Sequence, residues 1–438
     1  MRAAMVAVLA VTAACDEREV ILPGKREDLR AALSTGAPVE DLAARQGNRS
    51  LPISLPAARN NADWLQRPGT PATRTDNPAL GPAPVLAWSA PIGAGDSRRN
   101  RITAEPVVAG GRVFTLDAEA KVTATSTAGA TLWQADLVPS TDGAGDATGG
   151  GLAVGGGRLY VSSGFGRLTA LDPATGAVIW QQELQAAGNG APTFANGVVY
   201  LVAGDATAWA IEADTGRIRW QLSSAPDSNN VLGGPAPALT DKYAIFGFGS
   251  GEVQGAFRNG GLRAWEVIVG GRRLGYARAN ISDITGDPVV LGSTVYVGAQ
   301  SGRLAALDVS TGERLWTADE GPLGPVWVAG GSVFLISDRN ELLRLDAATG
   351  DRIWGAELPF FVKDRPRRQK EVFAHYGPVL AGGRIVIASN DGWLRFYDPA
   401  SGAPRGSIEV PGGATVAPVV AGGTLYAVST KGMLYAYR

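Results

Sequence analysis

The sequence predicts an all-β fold, an eight-bladed β-propeller whose blades are four-stranded antiparallel sheets. Three observations lead to this prediction: one motif repeats along most of the chain, glycine is abundant, and the two ends of the repeating region complement each other. The 438 residues include 59 glycines without a collagen-like period. Such a content indicates many tight turns and therefore many short strands.

The repeat begins at about residue 104. Each unit opens with a small residue and proline, continues through an apolar run, and ends in Leu-Asp-x-x-Thr-Gly followed by tryptophan. Its clearest copies end at 171–180, 307–316 and 345–354, and 211–220 is nearly as good. Successive units end roughly 38 to 52 residues apart, which is the length of a propeller blade. The predicted docking tryptophans are Trp88, Trp133, Trp180, Trp220, Trp265, Trp316 and Trp354.

Each part of the repeat has a physical reason. The run 197–203 is rich in β-branched and aromatic residues, so it predicts a strand that is buried on both faces. Aspartate can accept hydrogen bonds from backbone amides two residues further on, and glycine accepts the left-handed conformation of a tight hairpin. The tryptophan that follows can place its ring between neighbouring blades and hold them in register.

The ends of the repeat predict a closed ring. The last unit, 417–438, stops after three strands, and an unpaired fourth strand precedes the first full unit at 84–88. Pairing these segments removes the exposed edges and completes eight blades. The unit at 397–406 keeps its turn but has Gly406 in the tryptophan position. A seven-bladed alternative requires the unit of Trp265 or that of Gly406 to be an insertion.

The N-terminal region has a different composition. Residues 1–14 predict a short lipoprotein signal peptide that ends before Cys15, the only cysteine of the chain and the predicted lipidation site. An ordinary secretory signal with an incidental cysteine is the alternative. Residues 15–83 carry no repeat and are expected to form a linker or an extended strap, with the propeller at 84–438. Trp64 lies outside the repeats, so its truncation is expected to cost much less stability than truncation of a docking tryptophan.

No catalytic or metal site is predicted. The formal charge of −1 gives no global field that would favour nucleic acid. His375 is the only histidine and cannot build a three-ligand catalytic site without carboxylates. The glycine-rich run 143–151 lacks the lysine and the following helix of a phosphate-binding loop. The basic run 365–370 is either a solvated loop or a contact with an acidic partner or lipid headgroups.

The repeat resembles the tryptophan-docking motif of the PQQ-like β-propeller superfamily. Two families within it compete, the quinoprotein dehydrogenases and the BamB-type lipoproteins. The segments 54–56, 63–64, 68–69 and 377–384 are similar to those of BamB proteins. This resemblance implies a non-catalytic scaffold without cofactor that binds the POTRA domains of BamA and other subunits of the β-barrel assembly machinery. Nascent outer-membrane proteins are a further possible partner.

The same resemblance implies a lipid-anchored protein at the periplasmic face of the outer membrane. Asp16 follows the predicted anchor, and in enteric bacteria an aspartate there favours retention at the inner membrane. The resemblance also implies where BamA binds. It places Val231 and Leu232 in one contact loop, and Arg278 and Asp283 in a second. The apolar pair is expected at the centre of the contact and the charged pair at its margin. Leu232 and Thr285 depart from the family pattern.

Two other functions stay open. A quinoprotein dehydrogenase holds calcium with Glu, Asn and Asp side chains and uses an Asp base. The vicinal disulfide that often covers its cofactor cannot form here, because Cys15 stands alone. A sensor or a polysaccharide-binding propeller could carry the same repeat.

Overall fold

A computed structural model describes residues 47–67, 69–226, 234–271, 281–363 and 365–438. The predicted signal peptide and Cys15 lie outside the described residues. The described part of the chain contains eight four-stranded sheets arranged as blades of one propeller, which confirms the predicted fold class.

The strands are numbered in chain order. Blade 1 contains β2 (Val107–Ala109), β3 (Arg112–Leu116), β4 (Lys121–Ser126) and β5 (Thr131–Asp136). Blade 2 contains β6 (Gly150–Gly155), β7 (Arg158–Ser163), β8 (Arg167–Leu171) and β9 (Val178–Glu183). Blade 3 contains β10 (Thr193–Ala195), β11 (Val198–Val202), β12 (Thr207–Glu212) and β13 (Ile218–Ser223). Blade 4 contains β14 (Ala238–Leu239), β15 (Tyr243–Gly247), β16 (Glu252–Phe257) and β17 (Arg263–Ile268).

Blade 5 contains β18 (Val289–Leu291), β19 (Thr294–Ala299), β20 (Arg303–Asp308) and β21 (Arg314–Ala318). Blade 6 contains β22 (Trp327–Ala329), β23 (Ser332–Ile336), β24 (Glu341–Asp346) and β25 (Arg352–Glu357). Blade 7 contains β26 (His375–Ala381), β27 (Arg384–Ser389), β28 (Trp393–Tyr397) and β29 (Pro404–Glu409). Blade 8 contains β30 (Val419–Ala421), β31 (Thr424–Val428), β32 (Met433–Tyr437) and β1 (Leu86–Pro91).

Blade 8 closes the ring as predicted. Its sheet order is β1-β32-β31-β30, and β1 runs antiparallel to β32 with Ser89 opposite Tyr435. The N-terminal strand begins two residues later than 84–88 and extends to Pro91. Because every repeat unit forms its own sheet, no unit is an insertion and the seven-bladed alternative is wrong.

Burial follows the position of a strand within its blade. The second strand of blade 3, β11, is buried along its whole length, as its apolar run predicts. The outermost strand of blade 2, β9, has half-buried residues alternating with exposed ones, because only one of its faces packs on the sheet. Five clusters of the described core each join two neighbouring blades, and the largest cluster joins blades 6, 7, 8 and 1 with residues of the N-terminal segment.

Each docking tryptophan connects its blade to the next. The indole Nε1 of Trp180, on β9, donates a hydrogen bond of 3.0 Å to the carbonyl of Ala213 in blade 3. Its ring lies over Gly216, where an added Cβ would stand 2.8 Å from the ring. The same bond joins Trp88 to Thr127, Trp133 to Pro173, Trp220 to Arg258, Trp265 to Val309, Trp316 to Ala347 and Trp354 to Pro399.

The eighth interface explains why Gly406 replaces tryptophan. Blade 8 takes its outer strand from the N-terminal part of the chain, so no hairpin turn joins its third strand to its fourth. A tryptophan at position 406 would have no Asp-x-x-Thr-Gly turn to contact. Instead, the Tyr437 hydroxyl of blade 8 donates a hydrogen bond of 2.8 Å to the carbonyl of Glu409 in blade 7.

The described residues before the ring, 48–83, form a strap that lies across one face of the propeller. It contacts all eight blades. Its partners, from blade 1 to blade 8, are Val108, Val154, Phe194, Leu239, Val290, Trp327, Gly382 and Gly422. The role expected for one of its side chains differs from what the structure shows.

Trp64 in this strap is part of the core. This is contrary to the expectation that its truncation costs much less stability than truncation of a docking tryptophan. Its side chain is 1 % exposed. Its backbone exchanges two hydrogen bonds of 2.8 Å with Val108 in blade 1, and its ring centroid lies 6.3 Å from that of Trp327 in blade 6. Trp64 therefore fills the centre of the ring between non-adjacent blades, which a sequence repeat does not reveal.

Candidate partner-binding face

The antiparallel order gives the ring two different faces. The turns between first and second strands all lie on one face, and the connections from a fourth strand to the next first strand lie on the other. The strap covers the first face: the amide of Gly110, in a turn of blade 1, donates a hydrogen bond of 3.0 Å to Asp63. The amide of Gly383, in a turn of blade 7, likewise donates one of 2.9 Å to Asn77. We call the opposite side the open face.

A cavity of about 520 Å³ opens at the centre of the open face. It is lined by connections between blades, including His375 and Thr415, and by turns between second and third strands, including Asn390. On its wall, Asp96 accepts hydrogen bonds from the Ile102 amide, at 2.9 Å, and from the Thr415 hydroxyl. The cavity is therefore the open end of the central channel.

The other end of the channel is closed by a buried ionic cluster. Arg67 of the strap lies 3.3 Å from Glu105 in blade 1 and 3.2 Å from Asp287 in blade 5, and Arg74 lies 3.8 Å from Asp287. Blades 1 and 5 stand opposite each other in a ring of eight, so Arg67 bridges the channel. The cluster joins the strap to both sides of the ring.

The pKa values in this cluster follow from burial and pairing. Burial raises the pKa of Glu105 to about 6, although Arg67 and Arg74 oppose the shift. Burial also favours the neutral form of Arg67, but Asp287 and Glu105 outweigh it and hold its pKa above the ordinary value. The cluster therefore places two arginine side chains against two acidic side chains on the axis of the channel.

Sequence reasoning missed these residues, although a signal was present. Glu105 and Asp287 each precede the proline that opens a repeat unit, where other units have alanine or glycine. Two acidic residues at the same motif position, four units apart, face each other across a ring of eight blades. Such a pair predicts a cation on the axis.

The two loops expected to bind BamA belong to the connections from β13 to β14 and from β17 to β18. Val231 and Leu232 fall within 227–233 and Arg278 falls within 272–280, and both segments lie outside the described residues. Their described flanks meet: the amide of Ala236 donates a hydrogen bond of 2.8 Å to Asp287, which follows the second loop. Gly234 and Asp283 border both the central cavity and a second cavity of about 330 Å³.

Asp283 differs from its expected placement. Asp283 is only 5 % exposed. It is therefore buried at the base of the second loop and does not lie on an exposed margin. Thr285, one of the positions that depart from the family pattern, is also buried and donates a hydrogen bond of 2.9 Å to the carbonyl of Pro322. Both side chains belong to the support of the loop.

His375 is held as a neutral, buried side chain. Its Nε2 lies 2.8 Å from the carbonyl of Pro359, an acceptor, so Nε2 carries the proton and donates it. Burial lowers the pKa of the ring, and the carbonyl of Pro359 and the charge of Asp391 oppose that shift. This environment is that of a structural histidine at the edge of the cavity.

Within the described ranges, no group of three or more His, Cys, Asp and Glu side chains could hold a metal ion. The acidic residues on the axis are already paired with arginines. The described residues also include no helix long and apolar enough to cross a membrane.

Comparison with known proteins identifies one family. The model of the family described as outer membrane protein assembly factor BamB matches residues 118–356. A relative of that name from Yersinia pestis is 26% identical over 366 residues, covering 81% of this chain and 89% of the relative. One from Shewanella oneidensis is 25% identical over 395 residues, covering 88% and 95%.

Solved structures share the fold. BamB from Moraxella catarrhalis superposes with a TM-score of 0.68 at 19% identity, covering 81% of this chain and 100% of that one. Quinohemoprotein alcohol dehydrogenase from Comamonas testosteroni gives a TM-score of 0.64 at 16% identity, covering 87% and 81%. An assembly factor and a dehydrogenase thus share this architecture, so the fold alone does not decide between them.

Proposed function

Because the chain belongs to the family of outer membrane protein assembly factor BamB, we propose that it is a non-catalytic scaffold of the β-barrel assembly machinery that binds the POTRA domains of BamA. The match of the family model across residues 118–356, which span blades 1 to 6, carries this proposal. The relatives are named assembly factors, which supports a role without catalysis.

The proposed docking surface is the pair of loops at 228–234 and 278–285. Their described flanks are fixed to each other by the bond from Ala236 to Asp287, and Asp287 is in turn paired with Arg67 of the strap. Short loops on a rigid scaffold are where binding residues concentrate. Val231 and Leu232 supply the apolar centre of the contact, and Arg278 its charged margin. Asp283 supports the second loop from within.

The direct test measures the affinity of purified POTRA domains for a variant with Val231→Ala and Leu232→Ala. Loss of a central apolar anchor typically costs 2 kcal/mol or more, so we expect binding to weaken about 30-fold or more. A matched control replaces Leu132 and Val178, which are exposed on the outer strands β5 and β9, with alanine. The control should bind as the unmodified protein does, and both variants should keep its melting temperature. Unchanged affinity in the Val231/Leu232 variant would remove this surface from consideration.

We further propose that the protein is anchored through an acylated Cys15 at the periplasmic face of the outer membrane. The family name and the sequence around Cys15 support this location. A pull-down that recovers BamA would separate the scaffold from a quinoprotein enzyme and from a sensor or polysaccharide-binding propeller.

A further inference from the structure

A structured projection connects blade 6 to blade 7 on the open face. We call the described residues 359–363 and 365–373 the basic finger. Phe361 and Val372 form an antiparallel bridge, and the amide of Val362 donates a hydrogen bond of 3.0 Å to the backbone carbonyl of Glu371. At its base, the Asn340 side chain donates hydrogen bonds to the carbonyls of Pro359 and Phe373, and a 3-10 turn at Pro366–Arg368 forms its far end. Backbone and side-chain hydrogen bonds therefore hold the finger in a defined conformation at its base.

The finger concentrates positive charge. It carries five basic residues within eight positions: Lys363, Arg365, Arg367, Arg368 and Lys370. All five are exposed, and in the part of the chain that the structure describes none of them forms an ion pair. The whole chain has a formal charge of −1. The positive charge of the finger is therefore local and does not reflect a basic surface of the whole protein.

Exposed apolar side chains accompany these cations. Val362 is 41% exposed and Val372 is 44% exposed, and both flank the basic run. Below them, the rings of Phe360 and Phe361 pack edge to face at 4.6 Å. Basic residues next to exposed apolar ones suit an anionic bilayer, because the cations meet headgroup phosphates while the apolar groups reach the acyl boundary.

The place where the described chain begins also supports a membrane as the partner of the finger. Asn48 exchanges hydrogen bonds with Gly355, at 2.8 and 3.0 Å, and the Arg49 amide donates one of 2.9 Å to Ile353. Both partners lie on β25, the strand that directly precedes the finger. The described part of the ring unit therefore begins, at Asn48, on the blade that carries the finger.

A tether alone would not orient the propeller. An extended chain of the length of residues 16–47 reaches at most about 110 Å, so the ring could face the membrane in any direction. A polybasic patch that binds the same membrane also increases the membrane affinity of a protein held by a lipid anchor.

We propose that the basic finger binds anionic phospholipid headgroups and holds the blade 6–7 side of the open face against the membrane. The inference rests on the proposed lipid anchoring but not on BamA binding. It gives the propeller a fixed orientation.

The test uses the full chain with Cys15→Ser, so that no acyl group contributes, and vesicles of phosphatidylethanolamine with phosphatidylglycerol. The unmodified finger should bind these vesicles and not vesicles of phosphatidylcholine, and binding should fall as salt screens the charges. Arg367→Gln with Arg368→Gln should weaken binding about 30-fold, which corresponds to about 1 kcal/mol for each basic residue near the surface. The control is Arg59→Gln with Arg217→Gln, which removes the same charge from exposed, unpaired positions elsewhere on the molecule. It should bind as before.

Each other outcome overturns the proposal. Equal losses in both double variants would show a non-specific effect of net charge. Release by inorganic phosphate at matched ionic strength would indicate a site for free phosphate and not for a lipid surface. Absence of binding to both kinds of vesicle would leave an acidic protein as the partner of the finger. Because the vesicles contain no protein, failure here is distinct from failure of the POTRA experiment.

Discussion

At the residue scale, an aspartate, a glycine and a tryptophan together stabilise the turn of the repeat. In blade 2, the amides of Ala174 and Thr175 donate hydrogen bonds to Asp172, and these bonds lower the pKa of its carboxyl group. Gly176 completes the turn with a φ of +75° and lies against the ring of Trp133. The glycine is therefore needed for two reasons, its backbone conformation and the space above its Cα.

These two reasons can be separated by a matched pair of variants. Gly157 also has a φ of +75°, but an added Cβ there would meet nothing within 4 Å, whereas at Gly176 it would stand 2.5 Å from Trp133. Gly157→Ala should cost about 1–2 kcal/mol from the left-handed conformation alone. Gly176→Ala should cost about 1–3 kcal/mol more, because the tryptophan must move. Denaturant unfolding of both variants measures the difference, and equal costs would show that the tryptophan contact does not limit this turn.

His375 gives the second prediction at this scale. Its folded pKa is lowered, so between that value and the unfolded value of 6.5 the unfolded chain binds the extra proton. The contribution of the neutral ring is complete above the unfolded pKa and is lost as pH falls through this window. The chain has one histidine, so His375→Gln should flatten the stability profile between pH 7 and pH 5 relative to the unmodified protein. Parallel profiles of melting temperature for the two proteins would contradict this assignment.

At the scale of elements, the strap connects blades that do not touch each other. A blade contacts its two neighbours, whereas the strap contacts all eight, and its Trp64 and Arg67 each join non-adjacent blades through the channel. The strap therefore opposes the opening of the ring and blocks one end of the channel.

Truncation of Trp64 tests this role. We expect Trp64→Ala to cost about 3–5 kcal/mol in the free energy of unfolding, as truncation of Trp180 or Trp316 does, because each is a large aromatic side chain packed in the fold. Trp393, which is 41% exposed, is the control, and its replacement by alanine should change stability by about 0.5 kcal/mol or less. Similar denaturation midpoints for the Trp64 and Trp393 variants would show that the strap is dispensable.

At the scale of the whole molecule, closure by β1 and β32 joins the N-terminal and C-terminal parts of the ring. All blade edges then point outward as the half-exposed outer strands, and the loops between blades collect on the open face. A rigid ring of this kind presents several loops at fixed positions, which suits a scaffold that holds a partner near a membrane.

The proposed anchoring through Cys15 can be tested by substitution. A Cys15→Ser variant should lose metabolic labelling with palmitate and become a freely released periplasmic protein after membrane washing at high salt. Salt is needed because the basic finger is expected to retain part of the protein at low ionic strength. Continued labelling of the variant would show that another residue carries the lipid.

The sequence by itself determined the fold class, the number of blades and the closure of the ring. It could do so because each of these features follows from local chemistry that recurs in every unit: a turn, a buried strand and an aromatic side chain. The tertiary structure alone decided the role of Trp64, the bridge of Arg67 between opposite blades and the burial of Asp283. These features depend on contacts between residues far apart in the chain, across a channel whose geometry exists only once the ring has closed.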